Sequence, residues 1–436
     1  MIMKKLFIFV ALSWLVPAVA TARDWTLDEC IGYAVEHNIT VRQRALDRLS
    51  AENSVTEAKD GFLPQVSASA QQSWNFGRGL TSENTYANRN TSNFGWNLGL
   101  NLPLFQGLQN VRQLSYAKAN LAAVVEAHEA TKDDVTLRVI AQYLQVLYCT
   151  EMVSVAQSQA DLAYGELQRQ QSRLDAGKIP EADMLDARSQ LAQAEMQLTS
   201  ARNDRTLALL DLAQLLRLPD GIDGFDVMPL GDAEPVLPAP AAVFSRAMDF
   251  NHSVLAQRSL ISVAERGVKV AQSGWLPRLS FNAGLSSNYY TLSGVPSQPF
   301  GTQMRENFGK YVGFSLSVPI FDAMSTRNAV RRAKVQKLNS ELAYESSVDE
   351  LYKAINQAYF QAVGARERLR SAVATTEATS QALAAVREKY NLGRATATDF
   401  DTAKNAYVRA ESERIQAKYE LVLRARILDF YNSSDR

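Results

Sequence analysis

The sequence is poor in the residues that build metal sites, disulfide scaffolds and catalytic centres. Its 436 residues include only two cysteines and three histidines, and no HExxH, GxSxG, CxxC or phosphate-binding-loop motif occurs. Basic and acidic residues balance at 46 each, so no excess charge points to nucleic acid as a partner. We therefore expect a protein that is not an enzyme, with no catalytic, cofactor-binding or metal-binding residues and no cofactor.

Long apolar runs are also absent, except at the N-terminus. Two lysines precede LFIFVALSWLV, and AVA follows, which predicts a cleaved signal peptide over residues 1–20. No cysteine stands directly after the cleavage site, so we expect no lipoprotein. Beyond it, no apolar run reaches the roughly 18 residues that a membrane-spanning helix needs. In an exported chain Cys30 and Cys149 have two interpretations, a disulfide or two buried thiols.

The sequence contains an internal repeat. GFLPQVS returns as GWLPRLS, with Pro64 and Pro277 213 residues apart, and Gly177 and Gly393 are 216 apart. Each copy predicts a helix, a strand, a loop, a strand, a very long helix, a turn and a helix. The predicted domains are repeat one at 23–218, an irregular proline-rich linker at 219–241, and repeat two at 242–436.

Four segments alternate between apolar and small or polar residues, which is typical of strands with one apolar face. They are predicted at about 64–76, 94–105, 277–292 and 311–321. Aromatic residues concentrate near the strand ends, where a membrane interface would lie. These predicted interface aromatics are Trp74, Phe76, Phe94, Phe105, Trp275, Tyr289, Tyr311 and Phe321.

Proline is missing where long helices are predicted. None occurs between Pro103 and Pro180, and none follows Pro319. Since a proline inside a helix costs about 3 kcal/mol, this absence permits two uninterrupted helices. The first, Leu108–Ala176, would be on the order of 100 Å long.

A strand of about 12 residues is long enough to cross an outer membrane as part of a β-barrel. Four strands cannot do so alone, because hydrocarbon does not tolerate unpaired backbone groups at open sheet edges. Copies of the chain must therefore close the barrel. Physical reasoning favours three or more copies, which leave a water-filled channel, but does not select the number.

Taken together, the duplicated motifs resemble the TolC-like outer-membrane efflux and export channels. The similarity rests on WTLDECIGYAVEHN, on GFLPQVS and GWLPRLS, on NLPLFQG and SVPIFDA, and on LDAGKIPEADMLDA and YNLGRATATDFDTA. It implies an all-α long-helix tunnel extending into the periplasm and a transmembrane β-barrel of 12 strands, closed as a homotrimer in the outer membrane. It also implies a periplasmic adaptor and an inner-membrane pump of the RND, ABC or MFS class as partners.

The resemblance assigns roles to the two predicted tip turns, at 177–182 and 393–398. It implies adaptor docking at Ala176, Gly177, Lys178, Leu392, Gly393 and Arg394. It implies a periplasmic gate of carboxylates, for which the candidates are Asp183, Asp186, Asp399 and Asp401. Simpler alternatives remain open, because glycines reverse chains and aspartates offset helix dipoles. Repeat two has Thr402 where the family has its second acid, which leaves the role of Asp401 open.

Three functional hypotheses follow. The first is a passive exit duct for a tripartite efflux or type I secretion system, gated at its periplasmic tip. The second is a structural envelope spacer anchored in outer-membrane lipid. The third is a stand-alone diffusion porin, although porins have short periplasmic turns. The cargo cannot be read from the sequence.

Overall fold

A computed structural model describes residues 23–80, 84–231 and 235–433, and over these the chain is mostly helical. The predicted signal peptide lies outside the described residues. The helices are α1 (Leu27–His37), α2 (Ile39–Asp60), α3 (Gln109–Asp175), α4 (Glu181–Leu216), α5 (Pro240–Phe250), α6 (His252–Ala271), α7 (Phe300–Glu306), α8 (Ser325–Asn391) and α9 (Ala397–Asn432). The strands are β1 (Arg23–Trp25), β2 (Gln65–Asn75), β3 (Arg78–Leu80), β4 (Tyr86–Asn88), β5 (Thr91–Gln106), β6 (Phe225–Val227), β7 (Arg278–Leu292) and β8 (Gly309–Ser317).

The described chain divides into two compact units. The first unit comprises residues up to 39, 134–240 and 356–433, and the second comprises 40–133 and 241–355. The long helices α3 and α8 each contribute their first part to the second unit and their remainder to the first. In the first unit, α3, α4 and α9 bury apolar side chains such as Val139, Leu212 and Leu428.

The second unit contains an antiparallel sheet with the strand order β2-β5-β7-β8. Its cross-strand register separates the side chains by polarity. Leu98 stands opposite Ala68 and Leu285, whereas the next residue, Gly99, stands opposite Ser67 and Gly284. Because residues directly opposite each other share a face, one face of the sheet is apolar and the other carries serine, asparagine and glycine.

Strand β8 is shorter than the sequence predicted. It ends at Ser317, so Phe321 lies outside the sheet and the predicted end at 321 is wrong. The cause is the register, because Ser317 pairs with Arg278, the first residue of β7, and nothing beyond it offers backbone partners. Pro319 also lacks the N–H that a ladder would need.

The linker at 219–241 is predicted to be irregular, and this prediction is wrong for part of it. Its residues Phe225–Val227 form β6, which pairs in parallel with β1. Three residues are too few to show a period-2 pattern, so no local pattern indicates this strand. The buried Tyr143 hydroxyl lies 3.1 Å from the Trp25 carbonyl and 2.7 Å from the Met228 carbonyl, and so links α3 to both strand ends.

One helix among the described residues, Gln109–Asp175, contains an 18-residue stretch apolar enough to cross a membrane by length and composition. The lengths of uninterrupted apolar runs predict no such segment, because polar residues interrupt every run, whereas an average over 18 residues tolerates them. A helix packed in a protein core meets the same criterion. This helix buries Val139, Tyr143 and Val146, which accounts for its composition.

We predict that Tyr143→Phe destabilises the first unit by about 1 kcal/mol, because the buried hydroxyl no longer donates to the Met228 carbonyl, while the Trp25 carbonyl still accepts from the Met228 N–H. Urea denaturation of the detergent-solubilised protein measures the change. The control is Tyr164→Phe, since Tyr164 lies on the same helix with an exposed ring. Equal midpoints for the two variants would contradict this role for Tyr143.

Candidate functional site

The two outer strands of the sheet, β2 and β8, each have one side without a partner strand among the residues that the structure describes. Strand β8 also exposes large apolar side chains on its apolar face, with Val312 at 77% and Phe314 at 72%. An exposed, apolar edge strand is a template for pairing with another chain. The sheet therefore presents two surfaces suited to β-strand addition.

We call the end of the sheet at Asn75, Thr91, Leu292 and Gly309 its outer end. Strand β7 extends past the outer end of β8, and side chains cover this part of its edge. The Gln303 amide of α7 accepts a hydrogen bond from the Tyr290 N–H and donates one to the Tyr290 carbonyl, each at 3.0 Å. One turn later, Asn307 donates to the Asn288 carbonyl at 2.7 Å. Two side chains thus replace the missing strand here, whereas no comparable cover is seen along β2 and β8 in the described residues.

The predicted interface aromatics fall into different environments. Trp74 and Phe76, at the outer end of β2, are 63% and 78% exposed. Phe94 and Tyr289 lie on the apolar face and contact Phe300 of α7 at ring distances of 5.8 and 5.1 Å. The remaining four sit at a strand end, in a short 3₁₀ helix, on the polar face and beyond the sheet: Phe105, Trp275, Tyr311 and Phe321.

Tyr311 contradicts a purely interfacial interpretation. It pairs with Gly284 on the polar face, and its ring lies over that glycine. A Cβ at position 284 would meet the outer atoms of the ring, so the ring would have to move aside for any other residue. Covering a strand glycine with an aromatic ring protects its backbone and stabilises the local register.

Both tip turns end their helices in the same way. Gly177 and Gly393 adopt left-handed φ values of 68° and 72°. The Lys178 N–H donates to the Arg173 carbonyl, and the Arg394 N–H donates to the Lys389 carbonyl, at 2.9 and 2.8 Å. These bonds define Schellman motifs, which require the glycines for the turn itself. Ala176 and Leu392 complete the candidate docking segments, and their docking role remains a prediction.

Asp399 has a structural role at the start of α9. Its carboxylate accepts hydrogen bonds from the Thr396 hydroxyl at 2.7 Å and the Thr396 N–H at 3.0 Å, and its own N–H donates to that hydroxyl. This is a capping box. The bonds from the Thr396 side chain and backbone lower the pKa of Asp399, so its carboxylate is charged at neutral pH.

The other three predicted gate acids line one cleft of about 890 Å³ at the tip of the first unit. Asp183 lies in the first turn of α4, and Asp186 follows it. Asp401 is neutralised locally, because it accepts from Lys404 at 2.9 Å and from Gln190 of α4 at 2.7 Å. The sequence did not indicate these partners, and they weaken Asp401 as a free gate charge.

A buried hydrogen-bond cluster, which sequence analysis missed, joins α3 to α8 beside this cleft. The Tyr390 hydroxyl donates to Glu166 at 2.7 Å, and the Gln170 amide donates to Glu166 at 2.6 Å and approaches the Tyr390 oxygen at 2.7 Å. The Tyr390 ring stacks on Phe400 at 5.2 Å. Burial first, and the bond to Glu166 second, raise the pKa of Tyr390 to about 12.

Neither cysteine forms a disulfide, which settles the alternatives left by the sequence. Cys30 and Cys149 are both free and buried. Burial raises the pKa of the Cys30 thiol to about 12, which keeps it protonated and unreactive. Within residues 23–80, 84–231 and 235–433, no group of three or more His, Cys, Asp or Glu side chains is placed to hold a metal ion.

Comparison with solved structures defines the fold class. The chain superimposes on the crystal structure of the CmeC outer membrane channel of Campylobacter jejuni with a TM-score of 0.75. That match covers 93% of this chain and 85% of CmeC at 17% identity, so it shows the fold alone. The architecture is that of an outer membrane channel.

Sequence comparisons give the family. The outer membrane efflux protein family model matches residues 30–216 and 243–430, so the chain belongs to that family. The chain is 23% identical to the outer membrane protein TolC of Escherichia coli over 88% of its length and 78% of TolC. It is 24% identical to the alkaline protease secretion protein AprF of Pseudomonas aeruginosa over 70% of its length, but spans only 63% of AprF. The predicted TolC-like identity is confirmed.

We predict that Tyr390→Phe loosens the tip by about 1.5–3 kcal/mol, since a hydrogen bond to a charged group is lost while the ring stack remains. The free tyrosine pKa is about 10. Because the folded value is higher, near 12, the contribution is complete below pH 10 and is lost as pH rises through 12. Urea denaturation at pH 8 and pH 11 measures both effects.

Tyr407→Phe is the matched control, since Tyr407 lies half-buried on α9 and is not part of the cluster of Glu166, Gln170 and Tyr390. Its free energy of unfolding should equal that of the unmodified protein at pH 8, and it should fall by the same amount at pH 11. Tyr390→Phe should show less loss between these pH values. If Tyr390→Phe loses as much stability between pH 8 and pH 11 as the unmodified protein does, ionisation of Tyr390 does not cause that loss and the role given to the cluster is wrong.

Proposed function

We propose that this chain is the passive exit duct of an efflux or type I secretion system in the outer membrane. One observation carries the proposal, namely a four-stranded sheet with one apolar face, one polar face and two open edges. In a closed barrel the apolar face meets lipid and the polar face lines water. Neither the spacer nor an enzyme needs a sheet with a polar lumen face.

The stagger of the strands supports closure into a barrel. Asn75, the last residue of β2, pairs with Thr91 of β5. Gly309, the first residue of β8, pairs with Ser286 of β7, which in turn pairs with Asn97 of β5. This offset of six residues is about 20 Å along the strands, against about 14 Å across the three spacings that separate β2 from β8. The ratio corresponds to a tilt of about 54°, which is steeper than the roughly 35–45° typical of barrels, so it is the presence of a marked stagger that supports closure.

Three copies are the proposed stoichiometry. Two copies would give eight strands, and barrels of that size are filled by side chains, whereas twelve strands leave room for a channel. Antiparallel pairing of β8 with β2 of the next copy also keeps the strand directions alternating around the barrel. The resemblance to TolC-like channels, which implies a trimer, agrees with this choice.

A periplasmic adaptor and an inner-membrane pump are the proposed partners. The name of AprF assigns that relative to protease secretion, and a further relative, CzcC of Cupriavidus metallidurans, is a cobalt-zinc-cadmium resistance protein. Docking is proposed at the two Schellman turns around Gly177 and Gly393, where exposed Leu392 offers an apolar contact. A rigid turn with one exposed apolar side chain suits a helical partner.

The acidic tip is the proposed gate. Asp183, Asp186 and Asp399 carry carboxylates without a basic partner among the described residues, and threefold symmetry would multiply each. Such a ring focuses a negative potential and favours cations. Asp401 contributes less, because Lys404 and Gln190 already bind it.

We predict that Val312→Pro prevents oligomer assembly while leaving the single chain folded. Tyr290 directs its N–H and C=O toward the side of β8, so alternation places the Val312 N–H on the free side of that strand. Proline removes this donor without removing a bond to β7. Heat-resistant oligomers on SDS gels, with circular dichroism for folding, measure the result.

Val312→Ala is the control, because it removes the side chain but retains the N–H. It should assemble like the unmodified protein. Full assembly of Val312→Pro would contradict pairing through this edge.

We predict that Asp399→Asn lowers the cation preference of single channels in planar bilayers. Asparagine retains a cap acceptor but removes the charge. Thr396→Val is the matched control, because it breaks the capping box and leaves the carboxylate in place. Loss of selectivity in Thr396→Val but not in Asp399→Asn would show that the cap matters and the gate charge does not.

The same bilayer recordings separate the proposed duct from a spacer, which would not conduct. A diffusion porin would conduct equally, so an export assay is also needed. Deletion of the gene should abolish export while the pump remains intact. Normal export after deletion would leave the porin as the better interpretation.

A further inference from the structure

The apolar face of the four-stranded sheet carries a single charged side chain, that of Lys310 in β8. Lys310 stands opposite Leu285, which in turn stands opposite Leu98. The residues that follow it on the same face of β8 are Val312, Phe314 and Leu316. A lysine in this row interrupts an otherwise apolar or uncharged surface and therefore needs an explanation.

The Lys310 amine has no acidic partner among the described residues. Its recorded contact is with an aromatic ring, that of Phe308, whose centre lies 5.5 Å from the amine nitrogen. A cation–π contact of this kind orients an ammonium group without neutralising its charge. The charge therefore remains available to an anion that approaches from the apolar side.

Lys310 also lies at one end of the face. It is the second residue of β8 from the outer end, at Gly309, just as Trp74 is the second residue of β2 from its outer end, at Asn75. A lysine on the lipid face of a barrel costs about 2–4 kcal/mol at the midplane but about 0–1 kcal/mol near the interface. This position is where the strand ends meet the polar head groups.

A second cation lies at the same end of the sheet. Phe300 of α7 packs on Phe94 and Tyr289, which belong to the outer part of the apolar face. Arg305, in the last turn of this helix, is exposed and, within the described residues, has no acidic partner. Lys310 and Arg305 outnumber Glu306, the acid next to Arg305 in the same helix, so this end of the face keeps a net positive charge.

We propose that Lys310, supported by Phe308 and Arg305, binds the phosphate of a lipid head group in the outer leaflet. The inference rests on the proposed function, because it requires the apolar face to meet lipid. Acyl chains would lie along Val312 and Phe314, and the phosphate would meet the ammonium group at the strand end. Each chain of the oligomer provides one such site.

Native mass spectrometry of the purified oligomer in neutral detergent tests the proposal. The probes are short-chain phosphatidic acid, phosphatidylcholine with the same chains, and inorganic phosphate. Phosphatidic acid should bind in preference to phosphatidylcholine, whose choline offsets the phosphate charge. Lys310→Gln should weaken phosphatidic acid binding about fivefold, since a basic residue near a membrane surface contributes about 1 kcal/mol.

Two variants sharpen the assignment. Lys334→Gln removes an exposed lysine on α8, away from the sheet, and should leave lipid binding unchanged. Lys310→Arg retains the charge and should retain binding. An equal loss in Lys334→Gln and Lys310→Gln would mean that total charge, not this site, attracts the lipid, and would overturn the proposal.

The remaining outcomes do not depend on how a variant folds. If the unmodified oligomer binds both lipids equally, the negative charge of the head group does not contribute to binding and the proposal is wrong. If inorganic phosphate displaces phosphatidic acid at equal concentration, the site takes free anions and the lipid assignment is wrong. Conductance of the unmodified protein in planar bilayers distinguishes the lipid site from the exit duct. A channel that conducts but shows no lipid preference would contradict the lipid site and leave the exit duct in place.

Discussion

An unpaired backbone amide or carbonyl in hydrocarbon costs several kilocalories per mole, and this chain presents a row of such groups on each side of its sheet. Elsewhere the chain covers its strand edges, as Gln303 and Asn307 do for the outer part of β7. The edges of β2 and β8 have no such cover among the described residues. Their openness, the polarity of the two faces and the six-residue stagger are all accounted for if copies of the chain complete one barrel.

The helical tip is stabilised by local backbone geometry together with contacts between side chains that are distant in sequence. Glycines with left-handed φ close both turns, and the capping box of Thr396 and Asp399 starts the helix that follows the second. The cluster of Glu166, Gln170 and Tyr390 then joins α3 to α8. A gate at this tip would have to loosen that cluster, or move with it, when it opens.

Local pattern predicted much of this architecture, and long-range pairing explains what it missed. Alternating residues in 94–105 predicted the faces of β5, but β8 stops at Ser317 because its partner strand begins at Arg278. The aspartates near the tip glycines became candidates through the resemblance to TolC-like channels. The Gln190 partner of Asp401 stands 211 residues away in sequence, and Tyr390 stands 224 residues from Glu166, so no local motif marks either contact.

The mass of the assembly extracted from outer membranes in mild detergent tests the central claim most directly. The account predicts a complex of three chains, each close to the 48.2 kDa of the full sequence less its signal peptide, with no stable species of one chain in lipid. A single chain that remains monomeric and stable in the membrane would contradict it, because its sheet edges would then be satisfied without neighbours.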